Sequence, residues 1–161
     1  MNFSQLRVLF ICTGNVCRSP LAEGYLKSLL AQRGVQGVDV ESAGVAALSG
    51  APPFECATSV AEEYHFDISG NTARQLTPEL IQSSDRILCM EAWQAQAVMQ
   101  MDPRSVNKVA LLGNFHPDGR SLFQIPDPAE FDFPETLRTF QAIKASVEGL
   151  FQSLLSRVGV D

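Results

Sequence analysis

A cysteine and an arginine, Cys12 and Arg18, stand six positions apart near the start of the chain, with Thr13-Gly14-Asn15-Val16-Cys17 between them and Ser19-Pro20 behind. A thiol that opens a short loop ahead of a helix feels the helix's positive end and several N–H dipoles, which favour its thiolate. The same loop is a ready-made nest for a phosphate or similar oxyanion. An arginine closing the loop can curl back over that point and hold two phosphate oxygens with its planar fork, a geometry lysine lacks. The pair specifies covalent catalysis on phosphate: thiolate attack on phosphorus, with the loop donors and Arg18 stabilising the oxygens of the transition state.

A bare spacing of this kind also fits a buried structural cysteine beside a capping serine, with Arg18 an ordinary surface charge. The flanking residues argue for the chemical reading. Val8-Leu9-Phe10-Ile11 is a continuous apolar run, the pattern of a short strand buried on both faces of a parallel sheet. Gly14 and Asn15 tolerate the unusual dihedrals a nest requires. Ser19-Pro20 makes an N-cap and first-turn pair, followed by Leu21, Ala22, Tyr25, Leu26, Leu29 and Leu30 at helical spacing.

The elements that must carry this loop alternate along the chain. Residues 38–43 predict a second strand ending at Gly44, 86–90 a third and 108–112 a fourth, with the last closed by Gly113. Helices are expected over about 53–65, from Thr77-Pro78, from Glu91 with Ala95, Val98 and Met99 inward, and from Pro134 to Val158. This predicts an α/β fold: a single doubly wound domain over residues 1–161, with a four-stranded parallel sheet and helices on both faces. The connection from Asn114 through Phe131 is long enough to suggest function.

The run CTGNVCRSPLAEG resembles the signature of the low-molecular-weight protein tyrosine phosphatases, and Ser42-Ala43-Gly44, Ala73-Arg74-Gln75 and Met90-Glu91 extend the likeness over nearly the whole chain. The resemblance implies that Cys12 is the nucleophile, that Arg18 binds phosphate, that Asn15 keeps the loop shaped and that Ser19 stabilises the thiolate. Residues 13–19 would form the phosphate-binding loop. It further implies a cleft wall after Ser42-Ala43-Gly44, where Leu48 takes the place of a bulky aromatic, and Arg74 near the cleft. Leu48 in that place resembles the bacterial branch associated with capsule and exopolysaccharide tyrosine kinases. The expected partner is then a phosphotyrosine protein, an autophosphorylated kinase of polysaccharide export.

Hydrolysis of an aryl phosphate needs a proton donor for the leaving oxygen and later a base for water. Two Asp-Pro pairs could supply it, Asp102-Pro103 and Asp127-Pro128, and spacing does not choose between them. The resemblance does, because the family's general acid is the Asp of an Asp-Pro pair ahead of the last helix, which is Asp127. Ala129-Glu130 then stands where the family usually has an aromatic, and Phe131 comes two residues later. Glu130 would disfavour acidic phosphopeptides.

A net charge of −6 argues against nucleic acid or an anionic membrane surface as the main partner. The four cysteines, Cys12, Cys17, Cys56 and Cys89, lack zinc-ligand spacing, so no metal and no cofactor is expected. With no signal-peptide core and no long apolar span, the expectation is a cytoplasmic protein without stable membrane insertion. Nothing in the sequence bears on oligomeric state. Two other activities fit a similar loop: arsenate reduction, which needs a cysteine relay that Cys89 and Cys56 supply poorly, and protein-arginine phosphatase activity, where the resemblance places a threonine at Val16. Cys17 is a candidate for a reversible disulfide with Cys12 on oxidation.

Overall fold

The computed structural model describes residues 2–118 and 124–157. Four parallel strands, β1 (Asn2–Cys12), β2 (Gln36–Gly44), β3 (Arg86–Cys89) and β4 (Val109–Leu111), form one sheet in the order β2-β1-β3-β4. β1 lies between β2 and β3, so the strand that delivers the loop is paired along both edges.

The apolar run in β1 is continuous because the sheet is covered twice. Val8 and Phe10 join a core with α1 (Arg18–Gln32), α2 (Glu55–Glu63) and α5 (Phe133–Ser156). Leu9 and Ile11 face the opposite way, into a core with Ile81 of α3 (Pro78–Ser83) and with Ala95 and Val98 of α4 (Ala92–Met101). Alternate side chains of one strand thus anchor two helical layers, the doubly wound arrangement expected from the β-α alternation.

Local chemistry sets the helix ends. Thr77 caps α3 through Leu80 N with Pro78 behind it, and Asp132 caps α5 through Glu135 N with Pro134 in the first turn. The expected fourth helix starts one residue after Glu91, which caps it in a reciprocal box with Gln94. The second helix is shorter than expected, since Phe54 remains extended and His65 adopts a left-handed φ of 64°. Trp93 is half exposed on α4. The long connection opens with a 3-10 turn, Leu112–Phe115, on which α5 rests at Gly149, where any Cβ would overlap the Phe115 carbonyl oxygen. Positions 119–123 of that connection and the expected helix end at Val158 lie outside the described residues.

Candidate active site

β1 brings Cys12 to the carboxyl end of the sheet, level with Gly44 of β2. The chain then turns through residues 13–17, with Asn15 in the left-handed region at φ 58°, and enters α1 at Arg18 with Cys17 as the cap residue. The helix therefore begins ahead of the Ser19-Pro20 pair that was expected to cap it. Ser19 is free of capping duty because its hydroxyl lies 2.9 Å from Cys12 Sγ. Pro20 falls within the first turn, where a missing N–H leaves no bond unmade.

One asparagine holds the loop in shape. Asn15 N–H donates to Cys12 Sγ at 3.2 Å, and its Nδ2 donates to Ser19 Oγ at 2.8 Å and to Ser42 Oγ at 2.9 Å. Its Oδ1 accepts from Arg74 N at 3.0 Å. Ser42 Oγ in turn donates to the buried carboxylate of Glu23 at 2.8 Å, whose other oxygen takes Lys27 and Asn71. Ser19 Oγ accepts from Asn15 and keeps its own hydrogen to offer the Cys12 sulfur, which together with the Asn15 N–H would give a thiolate two donors. Gly44 completes the support: a Cβ there would lie 2.5 Å from Thr13 O and 3.0 Å from Asn15 N. Only glycine lets β2 come this close to the loop.

Arg18 is 1% exposed yet charged, and its surroundings explain how. Nη1 donates to Glu91 Oε2 at 2.8 Å and to Ile125 O at 2.7 Å. Nη2 donates to Thr13 Oγ1 at 3.3 Å. Nε lies 3.0 Å from Asp127 Oδ1 as an ion pair, at an angle that is not a hydrogen bond, so a buried N–H is left without a partner. With Nη1 committed, the Nε and Nη2 edge of the fork is the part of the guanidinium left for an oxyanion. Buried donors are rarely orphaned in native proteins without a reason.

Cys12, Thr13, Gly14, Val16, Cys17, Arg18, Phe54, Asp127 and Phe131 line a cavity of about 190 Å3 over the sulfur. Phe54 and Phe131 meet edge to face across it, ring centres 4.9 Å apart. All four cysteines are free thiols. Burial, reinforced by Cys56 and Cys12, pushes the Cys17 thiol well up, and burial followed by Cys12 pushes Cys89 up to about 12.

The low molecular weight phosphotyrosine protein phosphatase family matches residues 7–159. The chain belongs to that family. It is 38% identical to a probable low molecular weight protein-tyrosine-phosphatase EpsP of Ralstonia nicotianae over 75% of this chain and 77% of that one. Among solved structures, Vibrio vulnificus Wzb in complex with benzylphosphonate superposes with a TM-score of 0.82 at 31% identity, covering 92% and 98% of the two chains. The YwlE arginine phosphatase of Geobacillus stearothermophilus superposes equally well, with a TM-score of 0.83 at 26% identity over 94% of each chain.

Within this family member, Cys12, Arg18 and Asp127 converge on one cavity although Asp127 is over a hundred residues from the loop. Leu48 and Arg74, expected at the cleft, do not line that cavity. Leu48 is 79% exposed. Arg74 turns its guanidinium to Ser42 O and Glu41, drawn by their negative charge, and serves the loop through its backbone N–H. Phe54 and Phe131 form the wall instead. Phe54 was not anticipated; it reaches the site because its N–H donates to Val16 O at 2.9 Å, a pairing no local pattern announces. The helix start at Glu91 and the Met90-Glu91 likeness give no sign that Glu91 holds Arg18 or that Gln94 joins it, and the alternation Val40-Glu41-Ser42 gives none of the Ser42–Glu23 link. Among the described residues no helix is long and apolar enough to cross a membrane.

Proposed function

We propose that the chain is a protein-tyrosine phosphatase that hydrolyses phosphotyrosine through a phosphocysteine intermediate, acting on an autophosphorylated bacterial tyrosine kinase of polysaccharide export. The observation that carries this is the convergence of Cys12, Arg18 and Asp127 on one cavity, where the buried Arg18 Nε lies 3.0 Å from Asp127 Oδ1 without a hydrogen-bond partner, an oxyanion site next to a nucleophile. Family membership and the likeness to EpsP and Wzb support the choice of phosphotyrosine and of the kinase.

The phosphate enters with two oxygens on the Nε and Nη2 edge of Arg18 and the rest on the loop N–H groups. Cys12 thiolate attacks phosphorus in line as the bond to the phenolic oxygen breaks, and Asp127 as a carboxylic acid gives that oxygen its proton. Water then attacks the phosphocysteine, Asp127 takes its proton, the P–S bond breaks, and thiolate and inorganic phosphate are released. Phosphate displaces Asp127 from Arg18 at the outset, and the released carboxylate takes up a proton from solvent before it serves as the acid. The Phe54–Phe131 pair supplies apolar contact for the substrate ring.

Cys12→Ser should bind p-nitrophenyl phosphate without turning it over, and retained hydrolysis would remove Cys12 from the mechanism. Hydrolysis rates on phosphotyrosine, phosphoserine and phosphoarginine peptides, including a tyrosine-rich kinase tail, test the substrate. A preference for phosphoarginine would move the assignment to the activity named for YwlE, which shares this fold.

A further inference from the structure

The hydroxyl of Thr13 is held in an orientation that the loop's backbone chemistry does not require. Gln94, fully buried in the first turn of α4, fixes it. Gln94 Oε1 accepts from two backbone N–H groups, Met90 at 3.1 Å and Glu91 at 2.9 Å. Those two donors settle which end of the amide is oxygen, because the flipped amide would point its NH2 at them. Nε2 must then face the other way, and it donates to Thr13 Oγ1 at 3.2 Å and to Glu91 Oε2 at 3.3 Å.

Thr13 Oγ1 therefore receives two donors, Gln94 Nε2 and Arg18 Nη2. A hydroxyl has two lone pairs and one hydrogen. With both lone pairs engaged, the hydrogen has to leave on the remaining side, and among the described residues it meets no acceptor there. Thr13 lines the cavity over Cys12 together with Arg18 and Asp127. An O–H aimed into an oxyanion site by two donors behind it is preorganised at no cost during the reaction.

We propose that Thr13 is a side-chain donor to a phosphoryl oxygen of the substrate, with Gln94 as the positioning residue that aims it. The inference rests on the phosphatase reading above and adds to it a contact from a side chain rather than from the loop backbone. The donor also ties α4 to the chemistry, since Gln94 bonds both Thr13 and Glu91, the two side chains that accept from the Arg18 Nη groups.

Thr13→Val keeps the shape and removes the hydrogen. A hydrogen bond to a charged oxygen is worth roughly a 10- to 100-fold change. Thr13→Val should lower kcat/KM for phosphotyrosine peptide by about that much, chiefly in kcat, and weaken binding of inorganic phosphate by calorimetry about 10-fold. Thr13→Ser should stay within about 3-fold of the parent, as it keeps the donor. Gln94→Met should cost activity when Thr13 is present and almost none in the Thr13→Val background.

Wild-type phosphate affinity and kcat in Thr13→Val would overturn the proposal, as would an equal loss in Thr13→Ser. An effect of Gln94→Met of the same size in both backgrounds would overturn the positioning role. Thermal unfolding of each variant separates these outcomes from misfolding. Failure of the parent protein to hydrolyse phosphotyrosine would instead count against the proposed function, and the phosphate affinities of the parent and Thr13→Val would still decide the role of Thr13.

Discussion

Asn15 has every polar atom of its side chain bonded inside the protein, to Ser19, Ser42 and the backbone of Arg74, whereas Asp127 in the cavity over Cys12 is half exposed and holds only the side of Arg18. The nucleophile's side is a closed network that runs back through Ser42 to a buried carboxylate at Glu23. The acid's side is a connection that reaches the cavity between exposed rings and charges. A fully satisfied buried network keeps one geometry and is costly to disturb. An exposed carboxylate on one ion pair is cheap to move, which suits a group that must release the arginine, give a proton and take one back.

The contrast can be broken most severely at Asp127. Asp127→Ala should slow hydrolysis by about 10^2- to 10^4-fold for substrates with poor leaving groups and far less for good ones, while the urea midpoint stays near that of the parent. An equal loss across leaving groups would show that Asp127 supports the fold rather than the chemistry. Asn15→Ala should cost about 10^2-fold in kcat through misplacement of Cys12 and should also lower stability by roughly 2–4 kcal/mol, because Ser42 loses a partner and the left-handed turn loses a residue that tolerates it. A parent-like urea midpoint for Asn15→Ala would erase the distinction between the two sides.

Smaller effects sharpen the boundary. Phe131→Ala should raise KM for phosphotyrosine peptide about 3- to 10-fold with little change in kcat or stability, as expected of a ring that contacts substrate at the exposed side. Peroxide-inactivated enzyme should regain activity with dithiothreitol, and a Cys17→Ser variant should regain much less, if Cys17 closes a disulfide on Cys12; equal recovery would rule that out.

The smallest effect lies outside the cleft, at Glu148. Burial opposes its charge, but hydrogen bonds from Lys144 and Tyr25 outweigh this and hold its carboxyl below the usual range. A depressed folded-state value means stability present above the ordinary glutamate range and lost as pH falls through the lowered one. Glu148→Gln should flatten the acid side of the stability–pH curve without touching activity, and a change in kcat would show that α5 is coupled to the cleft.

What the sequence discloses follows the same division. The loop is written in consecutive residues, so Cys12, Asn15, Arg18 and Ser19 could be assigned together, and the apolar run before them requires a strand covered on both sides. Even there, Ser19-Pro20 misled on where the helix starts, because a hydroxyl can serve a cap or a neighbouring sulfur and only the fold decides. The supports of Arg18 come from Glu91 and from the carbonyl of Ile125, far away in sequence and joined only by strand order. The aromatic wall is hidden from the sequence for a related reason. Leu48 occupies a loop position suggested by resemblance, while Phe54 and Phe131 meet through backbone placement that carries no compositional signature.

The seat of Gly149 on Phe115 has a bearing on how this protein could be engineered. Phe115 is pinned there by helix α5, and Ile125 is pinned separately, its N–H on Met90 O and its carbonyl on Arg18. The two anchors are thus made to different partners, and the stretch from Ile125 to Asp132, which ends at the cap of α5, carries Asp127 between fixed points of its own, so substitutions aimed at the acid can be confined to that stretch.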